Sequence, residues 1–408
     1  MPKLLQINVT ANAASTGRLA EDIGDVAIAN GWESYVAYGR EHKPSHSHLI
    51  KIGGKISIYS HVFVSRLFDR HGFGSYCATR KFLKEVDKIK PDVIQFHNVH
   101  GYFLNLPLVL KYCTEKNIPL VWSLHDCWSM TGHCAHFALA GCEKWKTGCK
   151  ECPLLNDYPM SFGLIDSSKR NYSQKRKYIE ALPNLSIISG SQWIADIASQ
   201  SYFRGRDISV IPDGIDTDIY QPRNNSDELR KKMGLENKFV IMASGTNWPD
   251  YKGLDDFEKL RKRLPDDYVI MIVGMSQEEI SRKLPEGLIG VPRTKTPQEL
   301  SEYYSMTDCV MSLSRLESFG LTPVEGYACG TPAIVYNNAA LPELVTDETG
   351  FIVEPGNIDE LVEKVTKMKS IGKDHYKDTC RRIALEKYNR DECYGRYMEI
   401  YNNLINNK

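Results

Sequence analysis

Short apolar runs that recur between segments of helical periodicity constrain this chain more than any other feature. In the first half they are residues 4–9 (LLQINV), 34–38 (SYVAY), 91–98 (PDVIQFHN) and 119–124 (PLVWSL); in the second, 238–245 (KFVIMASG), 268–274 (YVIMIVG), 309–313 (CVMSL) and 332–336 (PAIVY). Each is strand-length, and the stretches between them place apolar residues at helical spacing, as Leu19, Ile23, Val26 and Ala27 do. Strands alternating with helices predict a parallel sheet covered by helices, an α/β fold. The pattern pauses at ISVIPDGID (208–216), where Pro212 and the Asp213-Gly214 turn follow a strand, and then starts again. Two α/β units are therefore expected over 1–206 and 207–385, with a polar helical segment over 386–408.

Charge removes some function classes. Fifty-one basic residues balance fifty-one acidic ones, so bulk attraction for nucleic acid is not expected. The amino terminus, MPKLLQINVT, reads as a first buried strand and not as a secretory signal, and no run approaches the ~18 apolar residues of a membrane span, so a cytoplasmic protein is expected. Residues 61–90 depart locally from neutrality: Arg66, Arg70, Arg80, Lys81, Lys84, Lys88 and Lys90 interleave with Phe63, Phe68, Phe73 and Phe82. Such a stretch suits an anionic bilayer surface, but Glu85 and the aspartates dilute its charge, which favours a solvated helix packed on the sheet.

The richest junction is 309–332. Cys309, Val310, Met311 and Leu313 form a strand, Ser318 and Gly320 a turn, and Thr322-Pro323 a helix start. A strand-to-helix turn presents free backbone N–H groups and a positive helix end, which suits phosphate. Two carboxylates bracket this one. Thr322 as N-cap and Pro323 at the first helical position put Glu325 at the third, which completes a capping box, whereas Glu317, beside Arg315, has no helix to cap. Lys252, in the loop 246–253 between a strand and a helix, is placed for a phosphate as well.

In the first half, polar residues gather at the predicted carboxyl ends of strands. Ser15, Thr16 and Gly17 would let a ligand approach the backbone, and Arg18 supplies a cation at the helix start. HNVHGYF (97–103) and HDCW (125–128) bring His97, Asn98, His100, His125 and Asp126 to the same edge, where open α/β sheets bind ligands. The alternation is interrupted by residues 133–153, where Cys134, Cys142, Cys149 and Cys152 are spaced by seven, six and two residues. Reduced thiols in a short excursion without its own core point to a structural zinc site, with His133 and His136 as reserve ligands. The alternative is a set of small buried thiols.

Motifs across 208–353 resemble those of glycosyltransferase family 4, the retaining transferases that use nucleoside diphosphate (NDP) sugars: VIPDGID, Lys252-Gly253, ESFGLTPVE with Glu317 and Glu325 as its E-x7-E signature, ACGTPAIV, PELV and TGFIV. STGR, DRHGF, PDVIQFHNVHG and HDCWSMTGHC resemble a bacterial surface-polysaccharide subgroup that carries a cysteine cluster. The resemblance implies the GT-B fold, two Rossmann-like domains whose parallel sheets face a central cleft, with the carboxyl-terminal helix packing back on the first. It implies that Lys252 holds the donor diphosphate and that the backbone from Ser318 and Phe319 through Gly320, Leu321 and Thr322 receives phosphate or sugar. Glu317 would read donor-sugar hydroxyls, Glu325 the ribose, and His125 would orient the sugar. Gly17 and Arg18 fall on the donor side, and His97, Asn98, His100 and Asp126 on the acceptor side. Where the family carries a second cation, five residues before the lysine, this chain has Asn247; Arg18 or Arg315 would compensate. The implied partners are a UDP- or GDP-sugar and a glycan or lipid-linked acceptor at the inner membrane face, for capsule, O-antigen or exopolysaccharide synthesis, with no catalytic cofactor. The competing readings are a sugar-nucleotide epimerase or phosphorylase on the same fold, and a zinc-knuckle binding protein.

Overall fold

A computed structural model provides the structure of the chain and describes residues 1–282 and 284–406. It divides into two compact units, residues 1–212 with 393–408 and residues 213–392.

The first unit is built on seven parallel strands: β1 (Lys3–Asn8), β2 (Glu33–Tyr38), β3 (His48–Lys51), β4 (Val93–Phe96), β5 (Leu120–Leu124), β6 (Leu185–Ser189) and β7 (Asp207–Val210). Their spatial order is β3-β2-β1-β4-β5-β6-β7. Every residue of β4, β5 and β6 is buried, which is why these runs read as continuously apolar instead of alternating. The chain winds one way from β1 and then the other from β4, so the loops after these two strands part and leave a crevice at the carboxyl edge.

Three features depart from the sequence reading. β3, a four-residue edge strand with exposed ends, carries too little apolar signal to be read from sequence. β7 pairs with β6 from Ser186↔Asp207 to Ser189↔Val210, so residues 207–212 close the first unit and do not open the second. At the other end the second unit runs to Glu392, beyond the expected 385. From Cys393 the helix Arg390–Asn406 belongs to the first unit: Tyr394, Tyr397, Met398 and Tyr401 join a cluster with Leu4, Ile23, Val93 and Val121. Tyr401 also hydrogen-bonds the buried Gln95. Each such side chain contributes about 1.5–3 kcal/mol by leaving water. The final two residues of the predicted 386–408 segment, Asn407 and Lys408, lie outside the described residues.

The second unit holds six parallel strands: β8 (Phe239–Ser244), β9 (Tyr268–Met275), β10 (Leu288–Pro292), β11 (Cys309–Ser312), β12 (Ala333–Tyr336) and β13 (Gly350–Val353). Their order, β10-β9-β8-β11-β12-β13, reverses between β8 and β11. The loops that diverge there are 245–253 and 313–320, those that carry Lys252 and Glu317. Among the described residues, no helix is long and apolar enough to cross a membrane.

Candidate functional site

In the second unit, two glycines bring the switch-point loops together. Gly253 adopts φ +75°, and a Cβ there would stand 2.4 Å from the Leu313 carbonyl oxygen, so only glycine lets the 245–253 loop lie against the segment leaving β11. The Arg315 N–H donates to the Tyr251 carbonyl at 2.7 Å, fixing the contact. Lys252 then reaches Glu317: its Nζ donates to Oε1, which also accepts from Ser314 Oγ at 2.9 Å. Burial works against the half-buried ammonium, but the Glu317 carboxylate and its hydrogen bond outweigh that, and Lys252 is held above the ordinary lysine value.

The second glycine corrects the capping box. Gly320 takes φ +108° and is itself the N-cap, so the helix Leu321–Ala328 starts ahead of the Thr322-Pro323 signal and has no side-chain cap. Pro323 is tolerated because a first-turn N–H has no intrahelical partner to lose. Thr322 instead donates through Oγ1 to the Ser244 carbonyl at 3.2 Å, tying the helix start to the end of β8. Glu325, 8% exposed, accepts from the Tyr304 hydroxyl at 2.7 Å, and Tyr304 in turn bonds Ser244 at 2.6 Å. Tyr304 and Ser244 were not singled out in the sequence, since only the folded sheet places them beside Glu325.

Of the remaining donor-side candidates, Arg315 is committed to the helix Leu254–Arg263, pairing with Asp255 at 3.2 Å and Asp256 at 2.9 Å. Asn247 is exposed and Ser318 half-buried, while Phe319 is buried with its ring 6.0 Å from that of Tyr388. In the first unit, Gly17 is required by packing: a Cβ would lie 2.5 Å from Thr10 Oγ1. Arg18, half-buried just after the start of the helix Ala14–Ala29, makes no ion pair or hydrogen bond among the described residues.

A small crevice at the carboxyl edge of the first sheet gathers His97, Asn98, His100, His125 and Asp126. His97 Nε2 lies 2.9 Å from Gln6 Oε1, while the Gln6 amide donates to the Ala20 carbonyl, so the His97 proton sits on Nε2. His97 Nδ1 must then accept, and it takes its hydrogen bond from His125 Nε2 at 3.1 Å. This leaves His125 Nδ1 with a lone pair. Burial holds both rings neutral at pH 7, His97 well below the ordinary value and His125 down at about 4. Asn98 donates its backbone N–H to Asn8 Oδ1 at 3.1 Å. His100 bridges Asp126 at 2.6 Å and the Tyr158 hydroxyl at 2.8 Å, a partner that sequence reasoning missed. Burial opposes the Asp126 charge, but His100 and the Trp128 N–H prevail and hold its carboxyl at about 2.

Cys134 is buried and Cys142, Cys149 and Cys152 are half-buried, all as free thiols. Cys134 lies within electrostatic reach of Cys152, Cys149 and Cys142. The thiols are splayed wider than a metal would draw them: among the described residues, the group bringing three candidate ligand atoms within 4.8 Å of one another is Glu21, Asp25 and His46.

Residues 16–219 match the family model described as Glycosyltransferase Family 4, and residues 225–386 the model described as Glycosyl transferases group 1. The putative colanic acid biosynthesis glycosyl transferase WcaC of Escherichia coli K12 is 28% identical over 374 residues, covering 88% of this chain and 89% of that protein. The sucrose-phosphate synthase of Thermosynechococcus elongatus superposes with a TM-score of 0.74 at 15% identity over the whole of both chains. Anabaena HepE in complex with UDP-glucose superposes with a TM-score of 0.66 at 15% identity, covering 98% of this chain and 99% of that one. These structural likenesses establish the GT-B fold.

Proposed function

The chain belongs to glycosyltransferase family 4 and is a glycosyltransferase of GT-B fold; from that premise we propose that it moves a sugar from an NDP-sugar to a saccharide acceptor with retention of anomeric configuration. The pairing of Lys252 with Glu317 at the switch point of the second sheet carries this reading. It supplies a cation for a diphosphate and a carboxylate for sugar hydroxyls side by side, next to a helix start whose first turn holds no acid. Donor binding would draw Lys252 to the diphosphate and free Glu317 for hydroxyls. Glu325, aimed by Tyr304, would take the ribose. Arg315, which already has its carboxylates, is a poor substitute for the cation missing at Asn247.

In the reaction the anomeric C–O bond to the diphosphate breaks as the acceptor oxygen bonds to the same face. The acceptor proton passes to the departing phosphate oxygen, so no protein nucleophile is needed. Lys252 and the helix-start amides stabilise the charge that develops on the diphosphate. His125 Nδ1, bearing a lone pair, accepts from a donor hydroxyl and orients the sugar. His100 and Asp126 bind on the acceptor side.

The HepE complex supports a uridine donor, a GDP-sugar being the other member of the class, and the WcaC likeness supports a surface-polysaccharide acceptor. We place the acceptor on a lipid carrier at the cytoplasmic face of the inner membrane. The supporting observation is the helix Lys55–Phe68, which exposes Ile56, Tyr59 and Phe63 on one face. From Lys43 through Lys84 the chain has eight lysines and arginines and one acid, the buried Asp69, with Glu41, Glu85 and Asp87 just outside. Apolar side chains flanked by the exposed Lys55, Arg66 and Arg80 suit an anionic bilayer surface.

A panel of UDP- and GDP-sugars, screened by thermal shift and then incubated with oligosaccharide acceptors, tests the assignment. One donor should stabilise the protein and yield a product whose anomeric configuration, read by NMR, matches the donor. Turnover of the donor without acceptor would indicate an epimerase, and stabilisation by none of them would sink the reading.

A further inference from the structure

We infer that Cys134, Cys142, Cys149 and Cys152 hold one zinc ion, and that this ion clamps the loop carrying His125 and Asp126. The segment they stand on cannot fold by itself. Between Trp128 and Lys146 it contains three single-turn 3-10 helices, with neither strand nor α-helix, and its buried side chains, Phe137 and Trp145 among them, dock on the core of the first unit. Four cysteines within nineteen residues of such a segment are a donor set that selects zinc over the hard, oxygen-seeking cations, and binding would draw their splayed thiols together.

Two independent observations bear on what this segment holds. His133, 2% exposed, is oriented by Asp69 through Nδ1, yet its Nε2 is buried with no hydrogen-bond partner. A carboxylate that holds one nitrogen of an imidazole while the other nitrogen stays unpaired is the arrangement of a metal-site histidine, so His133, next to Cys134, is the reserve ligand. The second observation is Lys175, 1% exposed, whose ammonium lies 3.3 Å over the Trp128 ring and donates to the carbonyls of Trp128 at 2.7 Å and Thr131 at 3.1 Å. No carboxylate pairs with it among the described residues. Four thiolates around a dication carry a net double negative charge, which the buried Lys175 head group would partly offset.

The clamp follows from connectivity. Asp126 accepts from the Trp128 N–H at 2.8 Å, the Cys127 N–H donates to the Ala135 carbonyl at 3.3 Å, and Thr131 Oγ1 donates to the Cys134 carbonyl at 2.5 Å. Whatever fixes Cys134 therefore fixes the residues next to His125. This positioning role rests on the proposed function; zinc binding does not.

Full-length protein purified without chelator and analysed for metal should contain one zinc per chain. The double variant Cys134→Ser/Cys152→Ser should contain none, while Cys77→Ser, on an exposed cysteine of another helix, should keep it. If the double variant fails to fold, a mercurial titration of the unaltered protein decides: zinc should be released as the clustered thiols react, and not when Cys77 reacts. Removing zinc should also open the segment to trypsin at the exposed Lys150. Protein without zinc even after reconstitution, or a folded double variant that retains it, overturns the inference whether or not the enzyme transfers sugar.

Discussion

Lys252 and Glu317, sixty-five residues apart, meet because Gly253 lets one switch-point loop lie on the other. The pair is set in advance of the ligand: cation and carboxylate are held half-buried at one sheet edge, where each restrains the other. Lys252→Ala and Glu317→Ala should each lower kcat roughly a hundred- to a thousand-fold, the cost of removing a group that stabilises developing charge or holds the reacting sugar. Circular dichroism and thermal melting should show the fold intact. Near-normal turnover in either variant would remove the pair from the mechanism.

Gly253→Ala tests the same relationship without touching either charge. At φ +75° with a Cβ 2.4 Å from the Leu313 oxygen, alanine must push the loops apart. A loss of more than about 1 kcal/mol in stability is expected, together with a loss of donor affinity. Chemical denaturation and donor titration measure the two. Wild-type affinity in a folded Gly253→Ala protein would show that the loop contact is dispensable.

Glu325→Gln separates a ribose grip from a structural role. Glutamine can still accept from Tyr304, so melting temperature should change little. The exchange of a charged acceptor for a neutral one should weaken nucleotide binding about tenfold. Calorimetric titration with the nucleoside diphosphate reads this directly, and unchanged affinity would return Glu325 to the core.

Much of this site was legible in the sequence because it sits on strands buried on both faces. β8, β9, β11 and β12 announce themselves as unbroken apolar runs, so the loops following β8 and β11, and hence Lys252 and Glu317, could be placed at a sheet edge. What failed depended on partners distant in sequence. The edge strand β3 is only half-buried, and β7 reveals its sheet only by pairing with β6. The capping box was locally consistent, but Gly320 could adopt a backbone angle open to few other residues, and Tyr304 claimed Glu325 across twenty-one positions. Arg315 likewise turned to Asp255 and Asp256, sixty and fifty-nine residues away, and not towards Lys252 and Glu317.

Acid should destabilise the protein through His61. Its Nε2 accepts from the N–H groups of Gly72 and Gly74, both at 3.2 Å, and its Nδ1 faces Ser75 Oγ at 2.9 Å. A second ring proton would have to displace two backbone donors. Burial, outweighing a backbone hydrogen bond to Tyr102, holds His61 at about 3 in the folded state, against an ordinary value of 6.5. The folded value is the depressed one, so the unfolded chain binds the extra proton. The contribution is complete above pH 6.5 and is lost as pH falls towards 3, by up to about 1.4 kcal/mol per pH unit. Asp213, held at about 7 by burial, works in the opposite sense between pH 7 and 4, so the comparison is made against a variant. Denaturation midpoints of wild type and His61→Gln at pH 7.5 and 5 should show the smaller loss in the variant. Equal losses would mean that His61 is not the group responsible.

The exposed face of the helix Lys55–Phe68 yields the last prediction. Ile56, Tyr59 and Phe63 are 88%, 70% and 61% exposed, too open to serve any core of this chain. Arg66 lies with its guanidinium carbon 5.9 Å from the ring centre of the exposed Phe162, which extends the apolar face beyond the helix. Binding by such a surface combines insertion of apolar side chains with attraction by cations, and the two respond to different variables. The protein should sediment with vesicles containing anionic lipid and far less with purely zwitterionic ones, and salt should weaken the association. Replacing Ile56, Tyr59 and Phe63 by serine should abolish sedimentation at low salt while leaving transfer to a short water-soluble acceptor intact, because none of the three belongs to the transfer site. Retention of vesicle binding by that triple variant would mean that the enzyme meets its acceptor through another face.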